Sequence, residues 1–201
     1  MRLFISPISP YVRKVEIIAH LKGLGDQLEK VKARDVGVDI ASLNPLAKVP
    51  TFIADDGEVM IESGLICQYL DEIGTGPRLY GDDAKTRRSI LQQEALAQGV
   101  LDAAVACRME VREHSPEQQS TAWLERQHKK LEAGLTAIEK NLSNLSFDLG
   151  LLHACYVCAL YFIDQHKVYE SWRQHYPHLA QWYLQMRALP LIASTEPQAG
   201  H

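Results

Sequence analysis

The chain has no apolar run long enough to cross a bilayer. Its longest, Leu149–Ile163, is broken by His153 and falls short of the ~20 residues a membrane helix needs. No membrane partner is expected. A basic surface is also missing: the formal charge is −4, and the basic clusters stop at pairs such as Arg13-Lys14, Arg87-Arg88 and Lys129-Lys130. Nucleic-acid binding needs phosphates to be neutralised, so nucleic acid is set aside as a partner. Cysteine is scarce, at 4 in 201 residues, which does not suit a disulfide framework. Arg2 is followed by only three apolar residues before Ser6 and Pro7, unlike a secretory leader. A reducing, cytoplasmic setting is therefore expected. There is no Gly-x-Ser-x-Gly elbow, no internal repeat and no low-complexity tract.

What is present is ordinary globular chemistry, with 46% hydrophobic and 23% charged residues. The length suits one large domain or two small ones. The most informative stretch runs from Ser6 to Val15. Leu3-Phe4-Ile5 before it suits a buried strand, and Val12, Val15, Ile18 and Ala19 after it recur at helical spacing. Ser9 followed by Pro10 is a helix start, because a hydroxyl can cap and proline loses nothing at the first helical position. Ser9 therefore sits at the positive end of a helix. Its hydroxyl can cap that helix or donate to an anion held there, and the residues alone leave both readings open.

Further along, Leu28–Ala33 mixes charge with apolar residues and suits an exposed strand near a sheet edge, while Arg34–Leu43 reads as a loop or an irregular helical turn. Pro50 opens a strand over Thr51–Ala54, Asp55–Glu58 turns, and Val59–Ile61 returns as a hairpin partner. Ser63 is the expected cap of a helix with Leu65, Ile66, Tyr69, Leu70 and Ile73 on one face.

From Gly81 onward only helices are expected. Asp82 or Asp83 caps a long one carrying Ile90, Ala97, Leu101 and Ala104. Ser115-Pro116-Glu117 is expected to start the next, with Leu124, Leu131, Leu135, Ile138 and Leu142 on its apolar face. Leu149–Ile163 reads as a helix buried on all sides, and Tyr176-Pro177 opens a last helix stopped by Pro190, before a surface tail from Leu191. The shift in pattern near Gly74–Asp82 divides a small α/β domain from an all-helical one.

Three landmarks, in order, carry a resemblance to a known family. Ser9-Pro10-Tyr11-Val12-Arg13-Lys14-Val15, then Asn44-Pro45 through Lys48-Val49-Pro50, then Glu62-Ser63 with Ile66 are similar to the motifs of cytosolic glutathione transferases. The Ser-Pro-aromatic pattern resembles serine-type, bacterial-like members and the tau class. The resemblance implies an N-terminal thioredoxin-like domain over residues 1–76 and an all-helical C-terminal domain over 82–201. It implies glutathione as co-substrate, no metal, a small hydrophobic electrophile as the second substrate, a role in detoxification, and a homodimer. The alternatives within the same fold are a non-catalytic regulatory or ligand-binding protein, or another glutathione-dependent activity: peroxidase, etherase, dehalogenase or isomerase.

The resemblance also implies roles. Ser63, with the backbone N–H groups of its helix start, would hold the γ-glutamyl carboxylate, and Glu62 the γ-glutamyl ammonium. A cis bond before Pro50 would free the Val49 backbone to pair with the cysteinyl part like an added strand. Lys48 would reach the glycyl carboxylate. Ser9 would donate a hydrogen bond to the thiolate, with Ser6 in the same turn as the other candidate. Tyr11 would line the electrophile pocket with Ala106 and Met109, near Asp102 and Glu110. The family's usual cap at the buried helix is replaced by Gly150-Leu151-Leu152-His153, so Ser146 or Asp148 is expected to cap there. Cys155 and Cys158, beside His153, spell a redox or zinc spacing, but they fall inside an apolar run and are expected to be buried and inert.

Overall fold

The computed structural model describes residues 1–35, 37–145 and 148–197. They fall into two compact units, Met1–Thr86 together with the segment from Pro190 onward, and Arg87–Leu189.

In the first unit the order is β1 (Arg2–Ile5), α1 (Pro10–Leu21), β2 (Glu29–Lys32), α2 (Ile40–Leu43), β3 (Thr51–Ile53), β4 (Val59–Ile61) and α3 (Ser63–Ile73). The strands form one sheet in the order β2-β1-β3-β4. β1 and β2, joined through α1, are parallel, and the other two pairings are antiparallel. This is the thioredoxin-like arrangement that the landmarks imply. β1 is central, and its neighbouring residues Leu3 and Phe4 are both buried, as expected for a strand covered on both faces. β2 is the charged edge strand foreseen from its composition, a form that discourages pairing with other chains.

On α3 the buried positions are Ser63, Gly64, Ile66, Cys67, Leu70 and Asp71. Their spacing of three and four is that of one helix face. Leu65 and Ile73, expected on that face, are instead exposed at 50% and 45%. The apolar pattern around them is the wider one, and a buried Asp71 hides the true face from a hydropathy reading.

Asp71 is buried because it is paired. Lys22 Nζ lies 2.9 Å from Asp71 Oδ1, and both side chains are almost fully inaccessible. Lys22 Nζ also donates to the Pro77 carbonyl at 2.8 Å. Asp71 accepts the Leu79 N–H at 2.9 Å and the Tyr80 N–H at 3.2 Å. The Thr75 N–H donates back to the Lys22 carbonyl at 2.9 Å. Gly74 sits so close that a Cβ there would come within 2.5 Å of Lys22 Cβ.

The second unit is helical among the described residues: α4 (Ala84–Glu113, its first turn in the first unit), α5 (Thr121–Asn141), α6 (Leu151–Gln165), α7 (Trp172–His175) and α8 (Pro177–Arg187). Asp83 caps α4, accepting the N–H groups of Lys85 and Thr86. α5 begins later than expected. Ser115-Pro116-Glu117 forms an isolated turn, in which the Ser115 hydroxyl donates to the Glu117 carboxylate at 2.8 Å. The corner is closed by Glu110, which accepts the Ser120 N–H at 2.9 Å and lies 3.2 Å from His114. α4 and α5 approach closely at Gly134, where an added Cβ would meet Val100 at 2.2 Å.

α6 is the core of this unit, with eleven of its residues buried. Gly150 occupies its N-cap position, and His153 Nδ1 accepts the Gly150 N–H at 3.3 Å. A glycine has no side chain to return that bond, so half of a capping box is present. Ser146, one of the expected caps, lies outside the described residues. Cys155 and Cys158 are buried and form no disulfide, and the same holds for Cys67 and Cys107. Burial pushes the Cys107 thiol up to about 11. α9 (Pro190–Ser194) belongs to the first unit, where Arg13 Nη2 donates to the Ile192 carbonyl at 2.9 Å. The expected surface tail is thus helical at its start, and Ile192 is fully buried.

Two outcomes are expected from this packing. Lys22→Met should lower the unfolding free energy in urea by about 3–5 kcal/mol, because it strands the buried Asp71 charge; a loss under about 1 kcal/mol would mean that the pair is dispensable. In native protein none of the four thiols should react quickly with a disulfide reagent at neutral pH, and labelling should appear only on unfolding.

Candidate functional site

Strand register brings the three sequence landmarks to one end of the sheet. Phe4 is opposite Thr51, and Thr51 is opposite Ile61. The chain leaves β1 after Ile5, enters β3 before Thr51 and leaves β4 after Ile61. These three points are therefore neighbours across adjacent strands. At about 4.8 Å per strand spacing they span roughly 10 Å, the reach of about three extended residues. Ser6–Ser9, Lys48–Pro50 and Glu62–Ser63 occupy those three points. Two helices, α1 and α3, also start there, so two positive helix ends share this end of the sheet.

The turn into α1 is closed by the Ser9 N–H, which donates to the Ser6 carbonyl at 3.0 Å. Ser9 is the N-cap, with extended backbone, and its Oγ accepts the Val12 N–H at 3.3 Å. Capping uses a lone pair on that oxygen. The hydroxyl proton is not consumed by it, so a cap can also donate outward. The two readings of Ser9 are compatible. Ser9, Ser6 and Tyr11 are all half-buried.

The Val49–Pro50 peptide bond is cis. Pro50 is buried, Val49 half-buried and Lys48 exposed. The buried amide of Asn44 and the buried hydroxyl of Thr51 both donate to the Lys48 carbonyl, at 3.0 and 2.8 Å. These two residues went unassigned in the sequence reading. A signal for Asn44 existed: an Asn directly ahead of a proline at a turn is a local hydrogen-bonding residue. Nothing local marks Thr51.

At α3 the cap is Glu62, not Ser63. Glu62 Oε2 accepts the Gly64 N–H at 2.7 Å and the Leu65 N–H at 3.4 Å. Ser63 is the first helical residue, buried, and its Oγ donates to Glu62 Oε1 at 3.3 Å. Glutamate ranks below serine as a cap, so the sequence favoured the wrong neighbour. What allows it is the backbone: Glu62 has φ +79°, a region that favours glycine, and this folds the long side chain back over its own helix. The arrangement leaves an exposed carboxylate beside a serine hydroxyl at a helix N-terminus. A zwitterionic α-amino acid group carries the complementary pair of charges.

Ala106 and Met109 lie in the second unit, three residues apart on one face of α4, with Met109 39% exposed. Asp102, also on that face, is exposed and accepts from Gln98 at 3.1 Å. Glu110, expected nearby, is engaged in the α4–α5 corner instead. Among the described residues no group of His, Cys, Asp or Glu side chains is placed to hold a metal ion, and no helix is long and apolar enough to cross a membrane.

Comparison with known proteins bears on the family and the fold. Residues 3–78 match the family described as glutathione S-transferase, N-terminal domain. A glutathione transferase family member from Pseudomonas fluorescens Pf-5, solved with bound glutathione, superposes with a TM-score of 0.91 at 32% identity, over 98% of this chain and 99% of that one. A glutathione S-transferase from Methylobacillus flagellatus KT, solved with glutathione bound, gives 0.89 at 32% identity over 98% and 99%. The GST-like protein YibF of Escherichia coli (strain K12) is 29% identical over 202 residues, 98% of each chain. With its motifs, its fold and these full-length relatives in agreement, the chain belongs to the glutathione S-transferase family.

Proposed function

We propose that this chain is a glutathione transferase that joins the thiolate of glutathione to small hydrophobic electrophiles, with the Ser9 hydroxyl stabilising the thiolate. The observation that carries the reading is the meeting of Ser9, Val49 and Glu62-Ser63 at one sheet end, beside two helix N-termini. Glutathione bound in two full-length relatives supports it.

The division of labour follows from charge and backbone. The γ-glutamyl ammonium pairs with Glu62, whose carboxylate is held in place by its own helix. The γ-glutamyl carboxylate takes the Ser63 hydroxyl and the Ser63 N–H at the helix start, because Glu62 already holds the N–H groups of Gly64 and Leu65. Val49 pairs with the cysteinyl main chain, Pro50 shapes that edge, and Lys48 meets the glycyl carboxylate as an exposed, mobile charge. The sulfur then lies at the start of α1. A free thiol with a pKa of about 8.5 is mostly protonated at neutral pH. A hydroxyl donor at a helix N-terminus favours the anion, the released proton passing to solvent. The thiolate attacks the electrophile, a carbon–sulfur bond forms, and the leaving group departs with its electron pair. Ser9 stays a donor throughout, with Ser6 as the reserve candidate.

In this reading residues 1–76 bind glutathione, with Tyr11 close to Ser9 in sequence, and residues 82–201 supply the electrophile side, with Ala106 and Met109 as its candidate residues. The enzyme works in the cytoplasm as a homodimer. Sedimentation should show a species of twice the monomer mass at micromolar concentration; a monomer alone would remove the dimer.

The mechanism predicts that Ser9→Ala lowers turnover by about one to two orders of magnitude, roughly 1.4–3 kcal/mol of lost anion stabilisation. Glutathione should still bind, and the pKa of its thiol, read from thiolate absorbance, should rise towards the free value. Loss of the cap should separately cost about 1 kcal/mol in a melting curve. A destabilised variant with an unmoved thiol pKa would reduce Ser9 to a cap and send the search to Ser6→Ala.

A further inference from the structure

Asn44 lies between α2 and β3 and is 2% exposed. Its amide is fully engaged as a donor. Nδ2 donates to the Lys48 carbonyl at 3.0 Å and to Thr51 Oγ1 at 3.1 Å, while Oδ1 accepts the Leu46 N–H at 3.0 Å. The buried Thr51 hydroxyl donates its own hydrogen bond to the same Lys48 carbonyl at 2.8 Å. Two buried donors thus converge on one carbonyl oxygen.

That carbonyl belongs to the peptide unit joining Lys48 to Val49. The unit is planar and trans, so its N–H points opposite to its C=O. Holding the oxygen against Asn44 and Thr51 turns the Val49 N–H the other way. Among the described residues no hydrogen bond uses the Val49 N–H or the Val49 carbonyl. Half-buried backbone groups left open in this way are where an added strand pairs. Ala47, at φ +50°, lies inside the same turn, which shows how closely the loop is held.

We infer that Asn44 and Thr51 are positioning residues: they lock the Lys48–Val49 peptide so that the Val49 N–H faces an extended peptide thiol as a preset hydrogen-bond donor. The inference rests on the glutathione reading given above. Neither residue touches the ligand. Their effect is on binding, because the Val49 contact is made equally in the bound state and the transition state. Ser9, by contrast, acts on the charge of the sulfur. The two roles separate in experiment.

Glutathione itself is the probe, titrated by calorimetry into the wild-type protein, Asn44→Ala, Thr51→Val and Thr51→Ser. Thr51→Val keeps the shape and loses the hydroxyl, whereas Thr51→Ser keeps the hydroxyl. Asn44→Ala and Thr51→Val should weaken glutathione binding by about three- to tenfold, as for one hydrogen bond, with KM raised and kcat at saturating glutathione unchanged. Thr51→Ser should bind like wild type, and the thiol pKa of bound glutathione should stay put in all of them. If Asn44→Ala does not fold, the Thr51 pair decides. Wild-type binding that is matched by folded Thr51→Val overturns the positioning role and leaves the proposed function standing. Equal weakening in Thr51→Val and Thr51→Ser also overturns it, since the hydroxyl would then be irrelevant. A wild-type protein that binds no glutathione overturns both.

Discussion

The buried ion pair of Lys22 and Asp71 is the constraint on which the first unit depends. Lys22 ends α1 and Asp71 lies near the end of α3, so their 2.9 Å contact ties the C-terminal ends of the two helices together. A buried pair of this kind is close to break-even against well-packed apolar residues. Its value here is directional. The carboxylate gathers the N–H groups of Leu79 and Tyr80, and the ammonium takes the Pro77 carbonyl, so the chain leaving α3 has its polar backbone satisfied in a dry place. An apolar pair would leave those groups orphaned. The Tyr80 hydroxyl then donates to the Gly64 carbonyl at 3.3 Å, linking that same stretch back to the first turn of α3. A helix is stiff over eleven or twelve residues, so fixing one end constrains the other. The far ends of α1 and α3 are the ones that face the candidate site.

At that site backbone strain and capping offset each other. A non-glycine residue with φ near +79° costs on the order of 1 kcal/mol or more. Glu62 recovers stabilisation through bonds from its carboxylate to the N–H groups of Gly64 and Leu65. The same geometry fixes the carboxylate in space. A glutamate on an ordinary strand end would sweep through many rotamers, and each recognition event would have to order it. Here the ordering is done by the fold.

The sequence was most readable where a residue's role is local. Ser9-Pro10, the hairpin over Thr51–Ile61 and the apolar run of α6 each declare themselves within a few residues, and each is found where expected. Reading failed where a side chain's partner is distant in the chain. Asp71 looks like a surface charge until Lys22 is beside it, and that hid which face of α3 is buried. Ser115-Pro116-Glu117 has every mark of a helix start, but Ser115 binds Glu117, and α5 starts at Thr121. The α3 cap was missed by one residue because a capping glutamate needs a positive φ, which no composition rule foresees. Of the candidate site, the three landmarks were legible. The buried Asn44–Thr51–Lys48 network behind the second was not, since Thr51 reads only as a strand residue.

Two helix ends at one site create a problem of specificity as well as an opportunity. Both ends favour anions, so a site built from them alone would accept any small phosphate or carboxylate. Glu62 changes that balance. By placing its own carboxylate over the N–H groups of Gly64 and Leu65, it fills much of the anion-binding capacity of α3. A ligand carboxylate arriving there meets a like charge unless it brings a cation with it. An α-amino acid head group does so, and a simple anion does not. α1 has no equivalent: it carries no acidic residue in its first turn, and its cap is a neutral hydroxyl. One helix end is thus screened and the other left open. That asymmetry suits a ligand with a zwitterionic group at one end and a separate anion for the open helix; in the proposed function that anion is the thiolate, while the glycyl carboxylate is left to Lys48.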